Sequence, residues 1–337
     1  MPVERNRVVV RVPATTANMG PGFDCIGMAL GIFNELIVER SDAFAMEIIG
    51  EGQAELPRDA SNLASYQALS LALRPRSGLL ARSTTPTLSY VLKNAIPFAR
   101  GLGSSSAAIV AGLLAGLTLA GHELSVQQDE ELLNIAADLE GHPDNVAPCI
   151  YGGLQIGVHT GRRWMSTRVS VPHGLQAVLF VPDTPMETAT ARAVLLPTIQ
   201  RSEAVFNIGR AAMLVHAFNT GRLDKLQEAT RDALHQPQRS GIMPVLFPVI
   251  DAAIAAGAHG AFLSGAGSTI LALTSGRRGD VYVQRSDERK EKEVSDAMLA
   301  AARAHNMPGK IYVTHPVELG AHVVSVEPAD ASNSQSV

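Results

Sequence analysis

Hydrophobic and polar positions along this chain mark out strands and helices that mix without a regular alternation. The valine-rich stretch Val8–Val12 predicts a strand over residues 7–13. Residues 34–50 read as two further strands meeting at the polar turn around Ser41-Asp42. Asn62 to Leu73 carries Leu63, Tyr66, Leu69 and Leu73 at helical spacing, opened by Asp59 and Ser61 as caps. A strand over Thr85–Leu92 runs into a glycine- and serine-rich turn, and the apolar run Ala107–Ala120 then predicts a buried helix. After a polar break at Gly121-His122-Glu123, Asp129–Leu139 places Leu132, Leu133, Ala136 and Leu139 on one helical face. That helix ends in Glu140-Gly141-His142-Pro143-Asp144-Asn145, and a hydrophobic strand with Gly152 and Gly153 follows.

The region Gly161–Ser166 reads as a turn and a domain boundary. Beyond it the pattern predicts a strand over Gln176–Val181, helices near 186–195, 202–219, 222–234 and Pro244–Gly257, and a glycine-flanked strand from Gly260. Residues 287–305 read as helix, and 310–313 and 321–326 as edge strands. A Ser/Asn/Gln-rich tail from Pro328 reads as disordered. The mixture makes the fold class α+β, and 337 residues suffice for two domains.

Composition narrows the function classes. A formal net charge of −4, with no lysine/arginine block, argues against nucleic acid and anionic membranes as partners. The mixed charges over 285–293 alternate in sign like a solvated helix face. Ala107–Ala120 falls short of the ~20 apolar residues of a membrane span. Cys25 and Cys149 could form at most one bridge and have no partners at metal-ligand spacing, so a reduced cytoplasm is the expected location.

The most informative chemistry sits in Pro97-Phe-Ala-Arg100-Gly101-Leu-Gly103-Ser104-Ser105-Ser106-Ala107-Ala108. Two glycines let the backbone come close to a ligand, and three hydroxyls stand where the buried helix begins. A helix start offers unpaired N–H groups and the positive end of a dipole, which suits a phosphate. It is no Walker A loop, because no Gly-Lys-Ser/Thr occurs and no lysine lies between Lys93 and Lys225. A serine-capped helix after a glycine turn would account for the same residues.

Glu140 is the leading metal partner, because hard cations take carboxylate and hydroxyl oxygen and Ser104–Ser106 can supply the hydroxyls. A helix-end carboxylate facing water is the plainer reading. His142 could serve as a general base or merely hydrogen-bond in its turn. Asn18, Asp24 and Asn145 sit in tight polar loops, where turn chemistry alone favours them. Arg192 and Arg239 could clamp a small carboxylate, surface solvation being the alternative for each.

Three glycine-bearing polar segments, Pro13–Asp24, Pro97–Ala108 and Ser264–Ser268, resemble in order and spacing the three motifs of the GHMP small-molecule kinases. Glu140-Gly-His-Pro-Asp-Asn-Val-Ala-Pro148 is similar to the corresponding segment of the members that act on homoserine. The resemblance implies ATP-dependent phosphorylation of the side-chain hydroxyl of L-homoserine, in the step that feeds threonine synthesis. It implies a two-domain fold, with a ribosomal-protein-like N-terminal α/β domain over 1–163 and a ferredoxin-like C-terminal α+β domain over 164–327. The tail is 328–337, and ATP sits in the cleft between the domains. A homodimer is expected on the same ground. Another GHMP kinase, of mevalonate or sugar-alcohol type, and a catalytically silent ligand-binding relative stay open.

Carried onto this sequence, the resemblance puts Pro97, Arg100, Gly101, Leu102, Gly103, Ser104, Ser105, Ser106, Ala107, Gly265 and Gly267 around ATP, with Asn62 near the adenine. Ser104, Ser105 and Glu140 would hold Mg²⁺. Asn18, Asp24, His142, Asn145, Thr188, Arg192 and Arg239 would form the homoserine pocket, Asp24 meeting the ammonium and the two arginines the carboxylate. Ser104, Glu140, Asp144 and Asn145 are the implied catalytic residues, Asp144 being the formal candidate for a base. The third motif departs from the family pattern: Ser268 stands where proline is usual, which implies a less rigid loop.

Overall fold

A computed structural model describes residues 5–59, 62, 66, 69–70, 87–126, 129–274 and 289–328. Its first layer grows from a long antiparallel hairpin of β1 (Arg5–Asn18) and β2 (Gly22–Arg40). Val8, Val10 and Val12 are fully buried, as β-branched residues on a packed sheet face should be. The stretch 13–24, expected as a loop, is largely strand. Thr15, Thr16 and Ala17 pair with Ala29, Met28 and Gly27, so the partner strand imposes the extended form where local composition does not. The chain turns at the hairpin tip, with positive φ at Asn18, Met19 and Gly20, and Asp24 just inside β2 also has positive φ, at 55°.

β3 (Ala45–Gly50) follows β2 in the chain, yet the two are not neighbours. β4 (Leu88–Asn94) lies between them, antiparallel to β2 and parallel to β3, which corrects the expected pair at Ser41-Asp42. Of the helix expected over 62–73, only Asn62, Tyr66, Leu69 and Ser70 fall among the described residues.

α1 (Ser104–Leu119) is the central apolar rod, with Ala107, Val110, Leu113 and Leu114 at most 1 % exposed. α2 (Glu130–Glu140) starts where the Asp129 carboxylate accepts the Leu132 N–H at 2.9 Å, and ends at Gly141 with φ 91°. Next comes α3 (Pro143–Tyr151), where a polar loop and then a strand were expected. Proline at its first turn needs no N–H partner there, so this helix begins at the polar residues that read as a turn. The strand itself starts later, as β5 (Leu154–His159), which pairs with β2 and with β6 (Trp164–Val169). The hydrogen bonds of this sheet therefore run across the expected boundary at 163/164.

The second sheet has the order β10–β7–β9–β8, all antiparallel, from β7 (Gln176–Pro182), β8 (Gly260–Leu263), β9 (Ile270–Thr274) and β10 (Gly309–Thr314). With helices between β7 and β8 and between β9 and β10, this is the ferredoxin-like βαββαβ arrangement. Side-chain alternation along β7 splits two cores. Ala177, Leu179 and Val181 face the core shared with the first sheet, while Val178 and Phe180 face the outer helices.

Between β7 and β8 run α4 (Thr188–Ala193), α5 (Arg201–Thr220), α6 (Leu226–Ala229), the single turn α7 (Gln236–Arg239) and α8 (Leu246–Ala255). The helix expected over 222–234 stops at Ala229. Buried Asp232 takes the N–H groups of Leu234, His235 and Gln236 instead, which starts α7. α9 (Glu291–Ala304) covers the outer face beside α8. The last strand, β11 (His322–Pro328), returns to pair with β1, and residues 329–337 lie outside the described residues.

Candidate active site

Gly101 and Gly103 shape the turn ahead of α1 with φ of 74° and 69°. A Cβ on Gly103 would lie 1.9 Å from Thr15 Oγ1, and one on Gly101 would lie 2.2 Å from the Ser264 carbonyl oxygen. Only glycine fits. Because Gly103 brings no capping side chain and the first turn holds no acid, the opening N–H groups of α1 are left for a ligand. Among the described residues, the buried Ser106 hydroxyl has no partner.

Hydrogen bonds tie the three glycine-bearing segments together at this point. Thr15 N–H donates to the Leu102 carbonyl at 3.1 Å and Gly265 N–H to the Ala17 carbonyl at 3.0 Å. Ser264 Oγ donates to the Gly101 carbonyl at 2.7 Å and stands 2.8 Å from Thr16 Oγ1. Asn18 Nδ2 donates to the Gly265 carbonyl at 2.8 Å.

Two cavities open on this junction. One, of about 190 Å³, lies over the start of α1 and is lined by polar groups from both sheets' elements. The other, of about 90 Å³, is more apolar and lies beside α1, with Asn62, Leu36, Leu92 and Ile96 in its wall. Phe98 and Ser104 belong to both walls, so one elongated ligand could span them.

At the end of the cavity nearest the start of α1, Ser105 Oγ donates to Glu140 Oε1 at 2.6 Å. This carboxylate, with the Ser104 and Ser105 hydroxyls in the same wall, is a hard-oxygen donor set that fits a magnesium ion. Thr15 Oγ1 donates to Asn145 Oδ1 at 2.8 Å, which leaves the Asn145 amide N–H groups for the cavity it lines.

The far end is strongly ionic. Arg192 grips Asp24 with two hydrogen bonds, of 2.7 and 3.0 Å. The Phe23 ring lies under both guanidinium groups, 5.7 Å from that of Arg192 and 5.6 Å from that of Arg239. Arg239 is 2 % exposed, and burial, then the charge of Arg192, pulls its pKa down to about 10. His142 Nδ1 meets Asp144 Oδ1 at 2.6 Å. Burial works against the His142 charge, but the hydrogen bond and charge of Asp144, with Glu140 and Asp24 behind, lift its pKa above 6.5.

The models of the GHMP kinases N terminal domain and the GHMP kinases C terminal domain match residues 65–153 and 214–304. The homoserine kinase of Desulfitobacterium hafniense is 40% identical over 317 residues, which cover 94% of this chain and 100% of that protein. That of Moorella thermoacetica is 42% identical over 273 residues, covering 81% and 89%. This chain belongs to the GHMP kinase family. In three dimensions it is similar to the crystal structure of homoserine kinase from Cytophaga hutchinsonii, with a TM-score of 0.80, 27% identity, and 95% and 98% of the two chains covered. The two-domain GHMP kinase fold expected from the three motifs is present.

In this GHMP kinase the sequence-derived residues largely converge. Asn18, Asp24, Gly101, Gly103, Ser104, Ser105, Glu140, His142, Asp144, Asn145, Thr188, Arg192, Arg239 and Gly265 line the larger cavity. Asn62 and Ala107 line the smaller one. Pro97, Leu102, Ser106 and Gly267 line neither. Arg100 turns away: it donates to the carbonyls of Phe98, Pro182 and Asp183, so it ties the loop to the end of β7. Ser268 binds its own loop to the Thr184 carbonyl at 2.8 Å, a tether that proline could not make.

Phe98, Ala99, Met186, Glu187 and Ala266 also line the larger cavity and escaped the sequence reading. Each lies within two positions of a residue that was singled out or belongs to a quoted motif. Their apolar or unremarkable character carried no chemical signal of its own.

Proposed function

We propose that the protein transfers the γ-phosphoryl group of ATP to the side-chain hydroxyl of L-homoserine, giving ADP and O-phospho-L-homoserine. One observation carries this reading: the uncapped start of α1 and a paired anion–cation site, Asp24 with Arg192, face the same cavity. Phosphate suits the first end, and a zwitterionic amino acid suits the second. The relatives at about 40% identity bear the name homoserine kinase, which supports the choice.

The nucleotide half of the site comes from the stretch through residue 163, with the adenine toward Asn62 and the phosphates over Gly101–Ser106. The segment 164–327 brings Thr188, Arg192, Arg239 and Gly265. Homoserine enters between the members of the ion pair, its ammonium replacing Arg192 beside Asp24 and its carboxylate meeting Arg192 and Arg239. Each charge of the ion pair keeps a partner after the exchange. His142, Asn145, Asn18 and Thr188 complete the pocket.

Positioning supplies much of the catalysis, because phosphoryl transfer gives the protein little covalent chemistry to do. Ser104, Ser105 and Glu140 would hold Mg²⁺, which would neutralise negative charge on the phosphates. The amides that open α1 stabilise charge spreading over the transferred group. The substrate oxygen forms its bond to phosphorus as the bond to the ADP oxygen breaks, and the hydroxyl proton ends on the transferred phosphate. Asp144, 2 % exposed and held by His142, orients that imidazole rather than taking the proton.

We place the enzyme in the cytoplasm, as a homodimer, in the supply of precursor for threonine. Among the described residues no helix is long and apolar enough to cross a membrane. An ADP-release assay over homoserine, mevalonate, galactose and no acceptor tests the reading. Turnover is expected with homoserine alone, and preference for either of the other acceptors would overturn it.

A further inference from the structure

A guanidinium as buried as that of Arg239 must place its N–H donors against acceptors. Its Nε donates to the Ala191 carbonyl at 3.2 Å. Nη1 donates to the Gly265 carbonyl at 3.0 Å and to His235 Nδ1, also at 3.0 Å. Among the described residues nothing accepts from Nη2, whose two N–H groups are left for an anion in the cavity that Arg239 lines.

The direction in which Arg239 aims therefore depends on a histidine that lines neither of the two cavities. His235 is fully buried, and its Nε2 lies 2.8 Å from the Gly20 carbonyl oxygen. A carbonyl can only accept and a guanidinium can only donate, so the ring has one workable state: neutral, with its proton on Nε2 and a lone pair on Nδ1. Its neighbours hold it there. The Asp232 side chain, itself fully buried, accepts from the His235 and Gln236 N–H groups at 2.9 and 2.7 Å, and Asn207 fixes that carboxylate at 2.7 Å. The Phe23 ring lies against the imidazole, tilted by 34°, with ring centroids 5.4 Å apart.

We propose that His235 is a positioning residue for the substrate-carboxylate site, its Nδ1 serving as the acceptor that turns Arg239 Nη2 toward the cavity. The inference rests on the reading that Arg239 meets the homoserine carboxylate. It assigns a task to the Gly20 carbonyl as well, since the hairpin tip of the first motif sets the imidazole tautomer.

The charged groups facing the ring are Arg239, Asp232, whose Oδ2 is 3.5 Å from Nε2, and Asp24 farther off. Burial, ahead of the opposing pull of Asp232, keeps the pKa of His235 below 6.5, so the neutral state persists at physiological pH.

The test compares His235→Leu, which removes the acceptor, with His235→Asn, whose side-chain oxygen can take the place of Nδ1. Steady-state kinetics are read for homoserine and ATP, and for 3-aminopropan-1-ol, which is homoserine without its carboxylate. His235→Leu is expected to raise the homoserine KM by about tenfold to a hundredfold, the scale for losing a hydrogen bond to a charged group. The ATP KM and the rate with 3-aminopropan-1-ol should stay within about threefold of wild type, and His235→Asn should recover most of the homoserine affinity.

An unchanged homoserine KM in folded His235→Leu overturns the proposal, as does an equal loss with the acceptor that lacks a carboxylate. If the leucine variant does not fold, His235→Asn decides: a homoserine KM near wild type supports the role, and a tenfold rise refutes it. Wild-type enzyme that ignores homoserine would instead remove the functional reading beneath the proposal.

Discussion

Asp24 and Arg192, separated by 168 positions in the chain, meet in a two-point ion pair of 2.7 and 3.0 Å across the mouth of the larger cavity. Both side chains are about one-third exposed, so water screens the pair and its net contribution to stability is small. Exchanging it for the two charges of an amino acid is therefore energetically easy. The affinity for substrate then comes from groups held in place beforehand.

Arg192→Ala is accordingly expected to change unfolding stability by less than about 1 kcal/mol while raising the homoserine KM at least tenfold. Arg239→Ala should raise the same constant and leave that for ATP nearly unchanged. Thermal melts and steady-state kinetics check both variants. Equal damage to the two constants would remove the arginines from the substrate end.

Among the described residues, Glu140 is the one carboxylate bonded to a hydroxyl of the α1 start. Glu140→Ala should raise the magnesium concentration for half-maximal rate by at least about tenfold, because an oxygen ligand is lost. A magnesium titration superimposable on wild type would take Glu140 out of the site.

Gly103→Ala places a methyl group 1.9 Å from Thr15 Oγ1 on a backbone with φ 69°. The strain and overpacking together should cost about 2–4 kcal/mol of stability, read by urea unfolding. ATP binding measured by calorimetry should fall in parallel if the phosphates sit over this turn as proposed, since the same displacement moves the opening amides of α1.

His142 gives the stability a pH signature. Its folded pKa lies above the ordinary 6.5, on the balance of burial against Asp144, Glu140 and Asp24. A raised pKa means that the stabilisation is complete below pH 6.5 and disappears as pH rises through the folded value. His142→Asn should therefore lower Tm more at pH 6 than at pH 8.5. Equal losses at the two values would show that the imidazole does not ionise against Asp144.

Asp144→Asn separates orientation from base catalysis. With the carboxylate committed to His142, kcat should fall by less than about a hundredfold. A greater fall, in folded enzyme that still binds homoserine, would make Asp144 the proton acceptor.

Much of the site could be read from the chain because its chemistry is local. The loop at Gly101–Ser106 and the rod behind it announce themselves through glycine and an unbroken apolar run, and both stand as expected. The segment 13–24 misled because pairing with β2 overrides its glycine- and proline-rich composition. Pro143–Tyr151 misled because proline and polar residues at a first turn look the same as a loop. The resemblance placed Arg100 around ATP, but the backbone of residues 182 and 183 takes donors of its guanidinium. His235 carried no signal, since a histidine beside an ordinary-looking Gln-Pro-Gln is one of ten in the chain.

The order of residues by itself determined the glycine turn ahead of α1, the buried rod and the identity of the charged groups, whereas the single strand read from Gly260 is in fact two paired strands, β8 and β9. Backbone freedom and hydrophobic periodicity are properties of neighbours in the chain. Tertiary structure alone decided that Asp24 answers Arg192, that Glu140 reaches Ser105 and that His235 orients Arg239. Electrostatic partnership and desolvation depend on distance in space, and folding brings those residues within hydrogen-bond reach from more than one strand and helix.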